Sequence, residues 1–72
     1  MENITFEIIK CIGTVRDDGD WKLELNLVSW NNQKPKYDLR SWNADHSKCG
    51  KGVTMSEDEL MTLKSLISKR VK

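Results

Sequence analysis

Three leucines alternate with polar residues between positions 21 and 31, and this pattern restricts the fold more than any other feature. Leu23, Leu25 and Leu27 are separated by single polar residues. A period of two places all three leucines on one face of a β-strand, whereas a helix would scatter them around its surface. The alternation therefore predicts a strand over residues 21–31 with one face in the core.

Three further segments have the composition of strands. Residues 4–15 are rich in β-branched and apolar side chains, with a phase slip at Ile8–Ile9 and a bend predicted near Gly13. Residues 36–42 alternate in the same way, and residues 51–55 are a short apolar run. Four strands are expected in total.

The face on which Trp30 lies depends on the turn that follows it. Val28 and Trp30 occupy even positions, which predicts a change of phase near the end of the second strand. A turn of two or four residues would place Trp30 on the face of Leu39. A turn of three or five residues, or a bulge, would place it with Arg40.

The start of a helix is the clearest local signal. Ser56 and Glu59 have the spacing of a capping box, and Met55 and Leu60 have that of a hydrophobic staple. Apolar residues then recur at helical spacing, namely Leu60, Leu63, Leu66, Ile67 and Val71. The order ββββα predicts an α+β fold in one domain, residues 1–72.

A chain of 72 residues has little core of its own. Such a domain buries roughly 60% of its unfolded surface, so a disulfide, a metal or a second subunit is expected to complete it. The first residues lack the basic and apolar regions of a secretion signal, so we expect a cytoplasmic protein with free thiols at Cys11 and Cys49. No apolar run approaches the ~18 residues of a membrane helix.

Metal binding is poorly supported. His46 and Cys49 have ligand-like spacing, and Asp45 and Cys11 could join them. A structural zinc site is usually built from paired Cys and His ligands, which this chain lacks. We therefore expect no metal or other cofactor, and a second subunit becomes the expected source of stability.

Enzymatic activity is not expected either. A single histidine without a positioned partner does not make a nucleophilic triad. Gly50-Lys51-Gly52 lacks the first glycine and the Ser or Thr of a phosphate-binding loop. We expect no small-molecule substrate.

A near-neutral total charge of +1 hides a basic segment. Residues 1–33 carry a net charge of −3, whereas residues 34–51 carry +3 and contain two aromatic rings. Trp42 shares strand parity with Lys36 and Arg40, opposite Leu39, which predicts an exposed ring beside two cations. Cations that follow phosphates and rings on which bases stack are typical of single-stranded nucleic-acid binding.

Three segments resemble one known family. They are Val28–Asn31, Pro35–Trp42 and Gly50–Ser56, the last followed by the capped helix. Together they resemble the C-terminal domain of the transcriptional coactivator called positive cofactor four, and most closely its bacterial YdbC-like members. The resemblance covers roughly residues 4–68.

This resemblance implies a curved four-stranded antiparallel sheet followed by one helix, in a homodimer that binds single-stranded or unwound DNA. It implies roles in DNA binding for Trp30, Lys34, Lys36, Arg40, Trp42 and Lys51, and we add Lys22, Asn26 and Lys48 as candidates. For the dimer interface we expect Leu60, Leu63 and Ile67. The long loop before the fourth strand is shorter here and the Ser/Lys-rich tail is missing, so the eukaryotic coactivator role is not carried over.

The leading functional hypothesis is sequence-tolerant binding of single-stranded DNA by a nucleoid-associated homodimer. Two alternatives stay open. The ligand could be RNA, because no feature reads a 2′-hydroxyl. The chain could instead be a protein-interaction module that docks through its apolar helix.

Overall fold

Four strands and one helix account for most of the chain. The computed structural model describes residues 5–71. The elements are β1 (Phe6–Asp17), β2 (Trp21–Trp30), β3 (Lys36–Asn43), β4 (Cys49–Met55) and α1 (Glu57–Arg70). The strands form one antiparallel sheet in the order β1-β2-β3-β4. The predicted α+β fold is confirmed, although Ile4, where the first strand was expected to begin, lies outside the described residues.

Strand β1 is bent by interruptions of its pairing with β2. Its register shifts between Ile8 and Lys10 and again between Cys11 and Gly13, close to the predicted phase slip and bend. A third shift, between Thr14 and Arg16, was not predicted. Each such bulge bends its strand and increases the local twist. The β1 edge therefore curves along its whole length.

The predicted phase change in β2 is wrong. Its pairing with β3 is continuous, from Trp21 opposite Asn43 to Val28 opposite Lys36. Leu25 faces α1, and Val28 points to the opposite face, where it is completely buried. Apolar residues occur at both parities because both faces of β2 are covered in its second half.

The turn between β2 and β3 places Trp30 on the face of Arg40. It spans residues 31–35, which is the five-residue alternative. Asn31 and Asn32 both have positive φ angles, of 52° and 62°, and the Gln33 N–H donates to the Trp30 carbonyl at 2.9 Å. Asparagine tolerates this left-handed conformation better than most residues.

Helix α1 begins as predicted. The Ser56 hydroxyl accepts from the Glu59 N–H at 3.1 Å, and the Ser56 N–H donates to the Glu59 carboxylate at 2.9 Å. The helix packs against β3 and β4, yet none of its residues is buried. No helix among residues 5–71 is long and apolar enough to cross a membrane.

The face of the sheet that carries α1 is incompletely covered. Leu23, Leu25 and Leu39 are only half-buried there. The accessible surface is 5856 Å², whereas a compact monomer of this mass exposes about 4,600 Å². The radius of gyration is 13.2 Å, against about 11 Å for a compact domain of this length. A single chain therefore leaves apolar surface without cover.

Candidate nucleic-acid interface

Four rings meet on the face of the sheet opposite α1, and we call Phe6, Trp30, Trp42 and His46 the aromatic cluster. The rings of Trp30 and Trp42 are stacked, 13° from parallel with centroids 6.4 Å apart. The ring of Phe6 lies 5.7 Å from Trp30 and 5.0 Å from Trp42, and the His46 ring lies 5.5 Å from Trp42. These separations are typical of packed aromatic pairs.

The two tryptophans come from opposite ends of the sheet. Trp42 pairs with Lys22 near the start of β2, whereas Trp30 ends that strand. On a flat sheet, this spacing along the strand would separate the two positions by about 26 Å. The ring contact therefore requires a sheet that is concave on this face, with both side chains reaching inward over the hollow.

The predicted exposure of Trp42 is wrong. Strand parity places it on the face of Arg40 as expected, but only 1% of the residue is accessible. Phe6 and His46, from β1 and from the loop before β4, cover the ring. Parity identifies the face on which a side chain lies, but it does not show what the curved sheet brings on top of it.

Beneath the aromatic cluster lies a buried polar floor made of Glu24, Asn26 and Asp38. The Asn26 amide donates to Glu24 at 3.0 Å, and Asp38 accepts from Arg40 at 2.7 Å and from the Thr54 hydroxyl at 3.1 Å. Buried polar groups are retained only when such partners offset their desolvation. Asn26 was predicted to bind nucleic acid, and in this arrangement it is completely covered.

Three polar atoms of this face have no hydrogen-bond partner within the described residues. They are the Asn26 side-chain oxygen and the indole N–H groups of Trp30 and Trp42, all buried. An unpaired buried donor or acceptor typically costs about 1–3 kcal/mol. All the unpaired buried side-chain polar atoms among residues 5–71 therefore lie on this face.

Arg40 is held by the sheet rather than free in solution. Its guanidinium donates to Asp38 and lies 4.7 Å from the centre of the Trp30 ring, with 17% of its side chain exposed. A side chain at Gly52 would collide with the Arg40 Cβ and the Leu39 carbonyl oxygen, so glycine allows β4 to approach here. Burial lowers the pKa of Arg40, but the hydrogen bond and charge of Asp38 outweigh this effect and raise it.

His46 is paired with the floor, and it is not a fully solvated histidine. Its Nε2 lies 2.9 Å and 3.1 Å from the two carboxylate oxygens of Glu24. Burial raises the pKa of Glu24, but the hydrogen bonds from Asn26 and His46 and the nearby positive charges lower it below its ordinary value of 4.5. Glu24 therefore contributes stability at neutral pH that is lost as the pH falls through this lowered pKa.

The predicted lysines occupy different parts of the interface. Lys22 and Lys36 lie on the face of the aromatic cluster, opposite Trp42 and Val28 in the strand pairing. Lys34 and Lys48 are exposed in the loops at the two ends of β3. Lys51 lies where the register of β4 shifts opposite Ser41, so the pairing does not bring it to the cluster.

Sequence reasoning missed four members of this site: Phe6, Glu24, Asp38 and His46. The position of Phe6 could have been predicted, because it is a large ring at the start of β1, and the pairing of β1 with β2 brings it opposite Trp30. The burial of Glu24 and Asp38 could not have been predicted, because an acidic residue on a strand is ordinarily solvated. His46 has ligand-like spacing to Cys49 and no catalytic partner in the sequence, and neither observation predicts its contact with Glu24. No three His, Cys, Asp or Glu side chains of residues 5–71 come close enough to hold a metal ion.

The residues predicted for a dimer interface, Leu60, Leu63 and Ile67, lie on α1, on the opposite side of the sheet from the aromatic cluster. Leu60 is half-buried, whereas 36% of Leu63 and 51% of Ile67 are exposed. They line a groove of about 290 Å³ between α1 and the sheet, which we call the apolar groove. Its walls also include Val15, Leu25, Leu39 and Met55.

Comparison with known proteins identifies relatives of this chain. A family model described as "Transcriptional Coactivator p15 (PC4)" matches residues 18–66, which include β2, β3, β4 and most of α1. An uncharacterized protein of Treponema pallidum (strain Nichols) is 40% identical over 68 residues, covering 93% of this chain and 80% of its own length.

Proposed function

The chain belongs to the transcriptional coactivator p15 (PC4) family, a family of nucleic-acid-binding and non-enzymatic proteins, and we propose that it binds single-stranded DNA, with little sequence preference, as a homodimer. One observation supports this proposal most directly. The concave face carries two stacked tryptophans, with Arg40 against one and Lys22 and Lys36 beside them.

The proposed contacts follow from what each group offers. Base stacking on a tryptophan contributes about 1–3 kcal/mol per base and tolerates any base. Trp30, which is half-buried, is the outer platform, and Trp42 supports it from behind. The proposed phosphate contacts are Lys22, Lys34, Lys36 and Lys48 around the hollow, together with Lys51 on β4, which lies outside the aromatic cluster. Arg40 orients Trp30, and Asn26 becomes a ligand only when the aromatic cluster separates.

A second copy of the chain is the proposed cover for the apolar groove. The groove and the half-buried leucines behind it are continuous with exposed Leu63, Leu66 and Ile67 on α1. A two-fold interface would bury this surface against itself. It would also leave both concave faces open for DNA, because α1 and the aromatic cluster lie on opposite sides of the sheet.

The test is fluorescence titration of the full chain with matched single-stranded DNA, duplex DNA and single-stranded RNA at two salt concentrations. We expect the tightest binding with single-stranded DNA, a change in tryptophan emission and weaker binding at higher salt. Preference for RNA would transfer the proposal to that ligand. No response to any nucleic acid would refute it and favour a protein-interaction module.

Two finer assignments accompany this proposal. A YdbC-like subgroup is proposed from the sequence resemblance, and a bacterial origin is in keeping with the Treponema pallidum relative. A nucleoid-associated location in the cytoplasm is proposed because the DNA ligand lies there. Residues 1–72 are proposed to act as a single domain.

A further inference from the structure

We propose that the aromatic cluster is a closed state of the DNA-binding groove, and that His46 is the latch that nucleic acid must displace to reach Trp42. This inference rests on the proposed function. It concerns how access to the site is controlled, and the order of events is release of His46, separation of the rings and then stacking of bases.

The loop before β4 is built to present His46. The Asn43 amide donates to the Ser47 hydroxyl, the Lys48 N–H donates to the Asn43 side-chain oxygen, and the His46 N–H donates to the Asn43 carbonyl, all at 3.0–3.1 Å. His46 itself has a φ of 60°, an uncommon conformation for a residue with a side chain. Such backbone strain persists where the surrounding contacts hold the residue in place.

The contacts of His46 join the loop to the groove. Its Nε2 meets both Glu24 oxygens, and its ring packs against Trp42. The histidine side chain is 37% exposed, whereas that of Glu24 is 7% exposed. The latch is therefore reachable from solvent, while its partner on the floor and the ring beneath it are not.

The closed state also leaves polar groups for a ligand to satisfy. The Trp42 indole N–H and the Asn26 side-chain oxygen are unpaired, in residues that are 1% and 0% exposed. Separation of the rings would expose this donor and this acceptor to base edges or water. Nucleic acid that stacks on Trp42 would thus gain hydrogen bonds that the free protein does not make.

DNA bases and the rings of His46 and Phe6 compete for the same face of Trp42. A base cannot stack on the covered face of Trp42 while the His46 and Phe6 rings pack there. The free energy needed to break the His46–Glu24 contact is therefore subtracted from the binding free energy. Loss of the latch should tighten binding.

The substitution His46→Gly tests this directly. Glycine adopts a φ of 60° without strain, so the loop keeps its conformation while the ring is lost. Removal of a side chain that carries positive charge when protonated would by electrostatics alone weaken DNA binding. Loss of this charge therefore does not explain a gain in affinity, whereas opening of the groove does. The matched control is Ala44→Gly, which adds a glycine to the same exposed loop and leaves His46 in place.

We expect His46→Gly to bind single-stranded DNA about three- to tenfold more tightly than the parent, with no change in Ala44→Gly. Acrylamide quenching of the free protein, in a Trp21→Phe background that removes the exposed indole, should also increase. Unchanged or weaker binding by His46→Gly would overturn the latch. Failure of the parent to bind any nucleic acid would instead refute the proposed function.

Discussion

Trp30 and Trp42 look equivalent in the sequence but occupy different environments. Trp42 lies at the back of the aromatic cluster, 1% exposed, whereas Trp30 is half-buried at the end of β2. Their rings stack on each other, so replacing one ring changes the surroundings of the other. The difference in burial separates their roles in the free protein, since a buried ring stabilises the fold and only an accessible ring is open to a ligand without rearrangement.

Replacement of each tryptophan by alanine should separate these roles. We expect Trp42→Ala to lower the free energy of unfolding by about 3–5 kcal/mol, because it removes a buried ring and leaves a cavity. Trp30→Ala should lower it less and should weaken DNA binding by about 1–3 kcal/mol.

Urea unfolding followed by circular dichroism measures the stability of both variants without relying on the missing fluorophore. Binding is then measured for Trp30→Ala at a temperature where it is folded. Equal losses of stability in the two variants would contradict the assignment of Trp42 as the buried support and Trp30 as the platform.

At the scale of the elements, β3 carries both kinds of group that the proposed interface needs. Along one face it presents Lys36, Asp38, Arg40 and Trp42 in succession. Asp38 is paired with Arg40, so the charge of Arg40 is already used within the sheet. Lys36 is exposed and makes no ion pair with the described residues, which leaves its charge available for a phosphate.

Lys36→Ala should therefore weaken binding to all single-stranded sequences alike. Each phosphate contact on a single strand contributes about 0.7 to the slope of log affinity against log salt concentration, and we expect the slope to fall by about that amount. The control is Lys69→Ala, which removes a charge from the far end of α1. A slope unchanged by Lys36→Ala, or reduced equally by Lys69→Ala, would show that β3 does not contact the phosphates of the DNA.

At the scale of the whole molecule, the sheet is covered unevenly. The concave face has its own aromatic cluster, whereas the opposite face depends on a helix with no buried residue. Exposed Leu63, Leu66 and Ile67 form an apolar stripe on that helix. Contiguous apolar surface of this kind is typical of interfaces between subunits.

The proposed homodimer predicts a melting temperature that rises with protein concentration. Leu63→Glu should place a charge in the interface and yield a monomer of lower stability, whereas Ser65→Glu, on the same helix but outside the apolar groove, should stay dimeric. Sedimentation equilibrium at tens of micromolar measures both. A monomeric parent protein, or monomers from both variants, would refute the use of this groove.

The sequence by itself determined the elements and their boundaries to within a few residues. The Leu23–Leu27 alternation, the bulge signals near Ile8 and Gly13, and the Ser56–Glu59 capping box are local patterns, and local backbone geometry decides them. The sequence also identified the face shared by Arg40 and Trp42, because strand parity depends only on spacing.

Only the tertiary structure decided what covers each face. The burial of Trp42 depends on Phe6, near the N-terminus, and on His46, in the loop before β4. Curvature of the sheet brings both rings to Trp42. The pairs Asp38–Arg40 and Glu24–His46 likewise depend on which side chains the bent sheet encloses. Such contacts join residues distant in sequence, and periodicity carries no information about them.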